Sequence, residues 1–260
     1  MRQIPLSVQL KDSAVFDTFV AGRNSEAVAF LQRLPRPRLP SVWLWGPAGS
    51  GRSHLLQAAC AHYRKGGADA AYLPLAALRS AGPGVLDGWE RAALVCVDDM
   101  DEAAGRDAWE RAVFRLFNAV NDAGGTLCFA GSAPPSATPV RLADLQSRLT
   151  WGVTFQLRPL NDDERLAALR LRARHRGLDL PEETARYLLT RLPRDMPALL
   201  AWLDRLDTAS LEAQRRLTLP FVRSVLSRET AGLSASTRLP AVSETADDGD
   251  EQEAREQDGG

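Results

Sequence analysis

The 260-residue chain has no apolar run approaching the ~18–20 residues needed to cross a bilayer, which argues against a membrane protein. Its first residues, Met1-Arg2-Gln3-Ile4-Pro5-Leu6, lack the long apolar stretch of a secretory signal, so a cytoplasmic location is expected. Cysteine is scarce. Cys60, Cys96 and Cys128 are an odd number, far apart in the chain and each within an apolar stretch, which excludes a disulfide framework and any zinc or redox spacing. They are expected as reduced core residues. The three histidines, His54, His62 and His175, share no metal spacing with one another or with carboxylates. Net charge is nearly absent at −1, yet residues 241–260 hold eight Asp/Glu and one Arg, a charge of −7. The first 240 residues then carry +6, so a mildly basic body bears an acidic tail. There is no internal repeat. The 45% hydrophobic and 25% charged residues are those of an ordinary globular protein with enough chain for a sizeable core.

Helical periodicity near Ser25–Leu34 stops at Pro35-Arg36-Pro37-Arg38-Leu39-Pro40, because three prolines in six residues cannot continue a helix. Short apolar runs follow at Ser41–Trp45, Ala70–Leu75, Leu94–Asp98, Thr126–Ala130 and Val153–Leu157, reading as buried strands. Helical patterns lie between several of them, at His54–Tyr63 and most clearly at Asp107–Val120. Strands alternating with helices predict an α/β fold, a parallel sheet covered on both faces. From Asp162 onward only helices are expected: Asp162–Arg176, Pro181–Arg191, Met196–Thr208 and Leu219–Leu226. The basic end of the first of these is expected to be a solvated face rather than a nucleic-acid contact. After Arg228 the composition turns small, polar and acidic, which predicts disorder.

Gly46-Pro47-Ala48-Gly49-Ser50-Gly51-Arg52-Ser53 sits between a strand and a helix, where a Gly-rich loop wraps phosphates with backbone N–H groups. It matches the P-loop pattern G-x-x-x-x-G-K-[ST] except at Arg52, which stands in place of lysine. Arginine binds phosphate, but its planar fork does not reproduce a compact ammonium between β- and γ-phosphates. Ser53 keeps the hydroxyl that faces Mg²⁺. Leu94-Val95-Cys96-Val97-Asp98-Asp99 is an apolar strand ending in two carboxylates, the arrangement of a Walker B strand. Asp98 would hold Mg²⁺ through water, and Asp99 would polarise an attacking water.

These residues resemble the DnaA-related AAA+ family. The resemblance is carried by Phe16-Asp17-Thr18-Phe19-Val20, Gly51-Arg52-Ser53-His54-Leu55-Leu56, Val97-Asp98-Asp99, Ser132-Ala133-Pro134-Pro135, Leu145 to Gly152 and Leu217 to Val222. It runs from about Phe16 to Leu226. It implies an AAA+ (P-loop) parallel-sheet base over residues 11–158 and a small all-helical lid over 159–228, with a disordered acidic tail over 229–260. An adenine nucleotide, ADP with Mg²⁺, is implied on Gly46, Gly49, Gly51, Arg52, Ser53, His54, Phe19 and Val20, with the metal at Ser53 and Asp98. Within the family, the regulatory inactivators of initiation are the better match, because an initiator carries a further DNA-reading domain for which no room is expected after Leu226. Gln3-Ile4-Pro5-Leu6-Ser7-Val8 resembles their clamp-binding peptide, so residues 1–10 are expected to dock on the DNA polymerase III β sliding clamp through Gln3, Ile4, Leu6 and Val8.

The resemblance makes Arg148 an arginine finger, a side chain that reaches a neighbouring subunit's nucleotide. Such a group is worth on the order of 10³–10⁵ in rate in GTPases. The implied function is negative regulation of replication initiation. An ADP-bound adaptor on the clamp, attached to DNA only through it, would stimulate ATP hydrolysis by the initiator DnaA. The alternative is an ATP-hydrolysing loader or remodeller in DNA replication. Two departures argue against robust hydrolysis by the chain itself: Arg52, and Pro197 where the family's second sensor arginine would project. Arg194, one turn earlier, is the available substitute, and Ser132 weakens the first sensor. Whether the chain forms a homo-oligomer stays open.

Overall fold

The computed structural model describes residues 14–34 and 39–236, with side chains as far as residue 228; Gln3, Ile4, Leu6 and Val8 lie outside the described residues, as does the tail beyond Ser236. A short helix α1 (Ser25–Leu31) leads to β1 (Ser41–Trp45), and α2 (Arg52–Lys65) follows it. Then come β2 (Ala70–Pro74), a single turn α3 (Leu75–Leu78), β3 (Leu94–Asp98), α4 (Asp107–Asp122), β4 (Thr126–Gly131), α5 (Ala143–Leu149) and β5 (Val153–Gln156). The strands form one parallel sheet in the order β2-β3-β4-β1-β5. Their predicted limits agree with the observed ones to within a residue.

Parallel strands joined by helices must be apolar on both faces, and β2, β3 and β4 are buried along their whole length. Edge strand β5 is half-exposed. Because side chains alternate across a strand, each strand feeds two cores. Trp43, Val97 and Phe129 meet Trp109, Val113, Leu116 and Phe117 of α4 on one face, with the Phe117 and Phe129 rings stacked 6.2 Å apart. Leu44, Cys96 and Cys128 meet Leu55, Leu56 and Cys60 of α2 on the other. The three cysteines are free and buried, as expected. Distant in sequence, they converge in space: Cys96 and Cys128 are register partners, and burial together with hydrogen bonding to Cys128 and Cys60 holds the Cys96 thiol well above its ordinary pKa.

The lid contains α6 (Asp162–His175), α7 (Glu182–Arg191), α8 (Met196–Ala213) and α9 (Leu219–Ser236) around its own core of leucines, Phe221 and Val222. Asn161 opens α6 with a reciprocal capping box, accepting from Glu164 N at 2.9 Å while the Glu164 carboxylate accepts from Asn161 N at 2.8 Å. Asp195 caps α8, and Pro197 occupies its first turn, where the missing N–H costs nothing. Helices α8 and α9 run past their expected ends at Thr208 and Leu226. No proline stands between Pro220 and Pro240 to stop α9, and Glu229, Ala231, Leu233 and Ala235 are good helix formers, so the helix continues to Ser236. The basic end of α6 is mixed: Arg170 and Arg176 pair with Glu182 and Asp204, whereas Arg172 is buried. Among the described residues no helix is long and apolar enough to cross a membrane.

Candidate functional site

In an open parallel sheet, ligands bind at the carboxyl ends of the strands, and the Gly-rich loop follows β1 there. A side chain at Gly46 would collide with the Leu157 carbonyl, so the loop's first position admits nothing larger than glycine. Gly51 has φ +97°, and a Cβ there would stand 2.6 Å from the Phe19 ring. The loop turns left-handed at this point and enters α2 with the helix's first N–H groups unbonded within it. Two side-chain atoms in the loop, Ser50 Oγ and Arg52 Nη1, are buried with no hydrogen-bond partner. Buried donors without acceptors cost ~1–3 kcal/mol each, so this is a site built for an acceptor-rich anion.

The loop floors a cleft of about 340 Å³ between the base and the lid. Phe19, Val20, Gly49, Gly51, Arg52, Ser53 and His54, all expected at the site, line it together. His54 stacks edge-on against Phe19 at 5.2 Å, and its Nε2 meets the Val15 carbonyl at 2.9 Å. Burial lowers its pKa to about 4, so the ring is neutral near pH 7 and uses its N–H to pin the chain that precedes Phe19. Residues not anticipated from the sequence also line the cleft: Thr18, Gln57, and from the lid Arg172, Met196, Leu200 and Asp204. Arg172 Nη1 donates to Thr18 Oγ1 at 3.3 Å, joining the lid to the base, and burial lowers its pKa. The available signal was an arginine on the inward stripe of α6, three residues after buried Leu169 and beside buried Ala173.

Pro197 lies over the loop, its Cδ 3.7 Å from where a Cβ on Gly49 would stand, so the lid presents an apolar ring to the loop at this point. Arg194 does not replace it. That side chain is 68% exposed and pairs with Asp162 at 3.3 Å.

Asp98 and Asp99 do not line the cleft but stand behind its wall. The Tyr72 hydroxyl donates to Asp98 Oδ2 at 2.7 Å and accepts from Gln57 Nε2 at 3.2 Å, and Gln57 faces the cleft. Asp98 Oδ1 accepts from Asp99 N at 2.9 Å. Each carboxylate oxygen keeps a spare lone pair, a donor set that fits an ion held through water. Asp99 adopts φ 55°, a left-handed conformation that Asp tolerates. Burial and the neighbouring Asp98 raise its pKa, while Arg52 opposes the shift. Ser132 donates from N and Oγ to Asp101 at 2.8 and 2.7 Å.

Arg148 sits elsewhere. It shares a groove of about 390 Å³ with Leu39 and Pro40, which precede β1, and with Gly124 and Gly125, which precede β4. The sheet is parallel, so these residues mark its amino edge, and the Gly-rich loop marks the other. A five-residue strand at ~3.3 Å per residue separates the two by ~16 Å, out of reach of the chain's own cleft. In the first turn of α4 stands Glu110, which the sequence did not single out. It is 1% exposed and accepts from Gly105 N (2.6 Å), Arg141 N (3.0 Å) and Leu142 N (2.8 Å), fixing the segment that enters α5.

Residues 162–226 match the family model of the Hda lid domain. The fold resembles domain III of the Thermotoga maritima replication initiation protein DnaA, with TM-score 0.69 and 18% identity over 85% of this chain and 98% of that one. It also resembles AMPPCP-bound DnaA from Aquifex aeolicus, with TM-score 0.65 and 17% identity over 86% of this chain and 72% of that one. The Thermotoga maritima RuvB Holliday junction branch migration motor is more distant, with TM-score 0.56 and 14% identity over 80% and 67%. Residues 162–226 thus match the Hda lid domain, and the fold as a whole is shared with these DnaA structures.

Proposed function

We propose that the protein is a negative regulator of DNA replication initiation, a nucleotide-bound adaptor that triggers ATP hydrolysis in the initiator DnaA. The observation that supports this reading is that Arg148 stands at the amino end of the sheet, opposite the Gly-rich loop and out of reach of the chain's own cleft, as an arginine acting on a neighbour's nucleotide must. The cleft holds ADP with Mg²⁺. Ser50 and Arg52 would supply unpaired donors to its phosphates, Phe19 and the lid residues of the cleft would hold its base, and Ser53 with Asp98, the latter through water, would hold the ion. With Pro197 over the loop, no cation from the second-sensor position neutralises a γ-phosphate, which favours a retained diphosphate over turnover. Asp99 then has little hydrolysis to serve, and the loader reading, which needs turnover, is the weaker one. Residues Gln3–Val8 tether the adaptor to the DNA polymerase III β clamp, and the clamp supplies the attachment to DNA.

The test is initiator ATP hydrolysis in the presence of clamp-loaded DNA. Arg148→Ala is expected to return the rate to its unstimulated value, a loss on the order of 10³ by analogy with arginine fingers elsewhere. Stimulation that survives this substitution overturns the mechanism. A clamp pull-down undiminished by Gln3→Ala with Leu6→Ala overturns the tether. Intrinsic turnover that disappears in Asp99→Asn would support the loader instead.

A further inference from the structure

We propose that Trp151 is the positioning residue for Arg148, holding its guanidinium flat against the indole so that the in-plane N–H groups point outward; the proposal rests on the reading of Arg148 as an arginine that acts in trans. Trp151 is 55% exposed, and with Leu211 it is one of two exposed large apolar side chains among the described residues. The two cores do not need it. Arg148 Cζ lies 4.1 Å from its ring centroid, well inside the range of a cation–π contact.

The root of the ring is fixed by the backbone. Trp151 N donates to the Arg148 carbonyl at 3.1 Å, and Thr150 donates to the Ser147 carbonyl from N at 3.3 Å and from Oγ1 at 2.7 Å. The next residue, Gly152, lies so close to Ser41 at the start of β1 that any Cβ would collide with the Ser41 carbonyl. The turn after α5 is thus clamped to the sheet, and it folds the indole back over the preceding helical turn.

A stack suits an arginine that must later grip a phosphate. An unrestrained arginine samples many rotamers, and that freedom is lost when it engages a ligand. Holding it with a carboxylate would occupy the N–H fork a phosphoryl group needs, and among the described residues no ion pair engages Arg148. A ring beneath the plane restrains the guanidinium and leaves every donor free.

The full-length protein is assayed as Trp151→Ala, Trp151→Phe and wild type for stimulation of initiator ATP hydrolysis with clamp-loaded DNA, over a range of adaptor concentrations. Trp151→Ala is expected to lower the maximal stimulated rate about fivefold, equivalent to ~1 kcal/mol, with little change in the half-saturating concentration. Trp151→Phe should recover most of it. A raised half-saturating concentration with an unchanged maximum would make Trp151 a docking contact and overturn the proposal. In parallel, the Arg148 Nε–Hε NMR signal, assigned from Arg148→Lys, should be ring-current shifted upfield in the wild type and return to the random-coil position in Trp151→Ala. A wild-type signal already at the random-coil position removes the stack whatever the rates show. Stimulation that survives Arg148→Ala removes the finger reading instead, and leaves the NMR result to stand by itself.

Discussion

The two edges of the sheet are built differently. At the carboxyl edge the Gly-rich loop, the segment before α2 and the lid enclose a cleft with buried, unpaired donors. At the amino edge Arg148 lies in a groove, over the ring of an exposed tryptophan, and none of the residues lining that groove has a buried side-chain donor without a partner. An enclosed site with unmet hydrogen bonds is one that retains a ligand. An open site with a restrained cation is one that presents a group to something else. On the proposed function, binding and presentation are separate jobs of the two edges, and substitutions should separate them.

The largest effect on ligand binding is expected at Gly51. Gly51→Val puts a branched side chain where φ is +97° and where even a Cβ meets the Phe19 ring at 2.6 Å. ADP affinity by titration calorimetry should fall at least about a hundredfold, ~2.7 kcal/mol, with the helical circular dichroism preserved. Arg148→Ala should bind ADP as the wild type does. Equal loss in both variants would erase the distinction between the edges.

Glu110 fixes the start of α5, the helix that carries Arg148. Its buried carboxylate accepts from Gly105 N after β3 and from Arg141 N and Leu142 N before α5. Glu110→Ala strands these amides, and at ~1–3 kcal/mol for each buried donor the expected loss is about 3 kcal/mol or more. Thermal unfolding should drop by roughly 10 °C, at ~2–4 °C per kcal/mol for a domain of this size. Glu110→Gln keeps one accepting oxygen and should lose about half as much. A Tm unchanged in Glu110→Ala would show that the carboxylate does not hold α5 in place.

How much of this was legible beforehand depends on the reach of each interaction. The strands were readable because a buried parallel strand is a local run of apolar residues, and Ser41–Trp45 and Leu94–Asp98 have the limits the sequence predicted. The loop was readable because its glycines answer to local backbone geometry. The long-range pairings were not: Tyr72 to Asp98, Arg172 to Thr18, and Glu110 to a segment about thirty residues on. Each is polar, buried and far in sequence from its partner, and periodicity carries no trace of such pairs. The meeting of Cys60, Cys96 and Cys128 belongs to the same class, since spacing along the chain does not reveal register across a sheet. Of the residues named from motifs, Phe19, Val20, Gly49, Gly51, Arg52, Ser53 and His54 line one cleft, while what holds Asp98, Arg148 and the lid is visible only in the fold.

The smallest of these effects tests the enclosed edge by pH. His54 has an ordinary pKa of 6.5, lowered to about 4 by burial in the folded protein. Below pH 6.5 the unfolded chain takes up a proton that the folded chain refuses, so stability is lost as pH falls from 6.5 toward 4 and is flat above that window. Between pH 8 and pH 5 the loss attributable to this ring is about 2 kcal/mol. Urea denaturation of wild type and His54→Gln across this range isolates it, because other titrating groups contribute to both proteins alike. The difference between the two should narrow toward low pH. Parallel profiles would mean that the ring is already solvated, and that this end of the cleft is as open as the groove around Arg148.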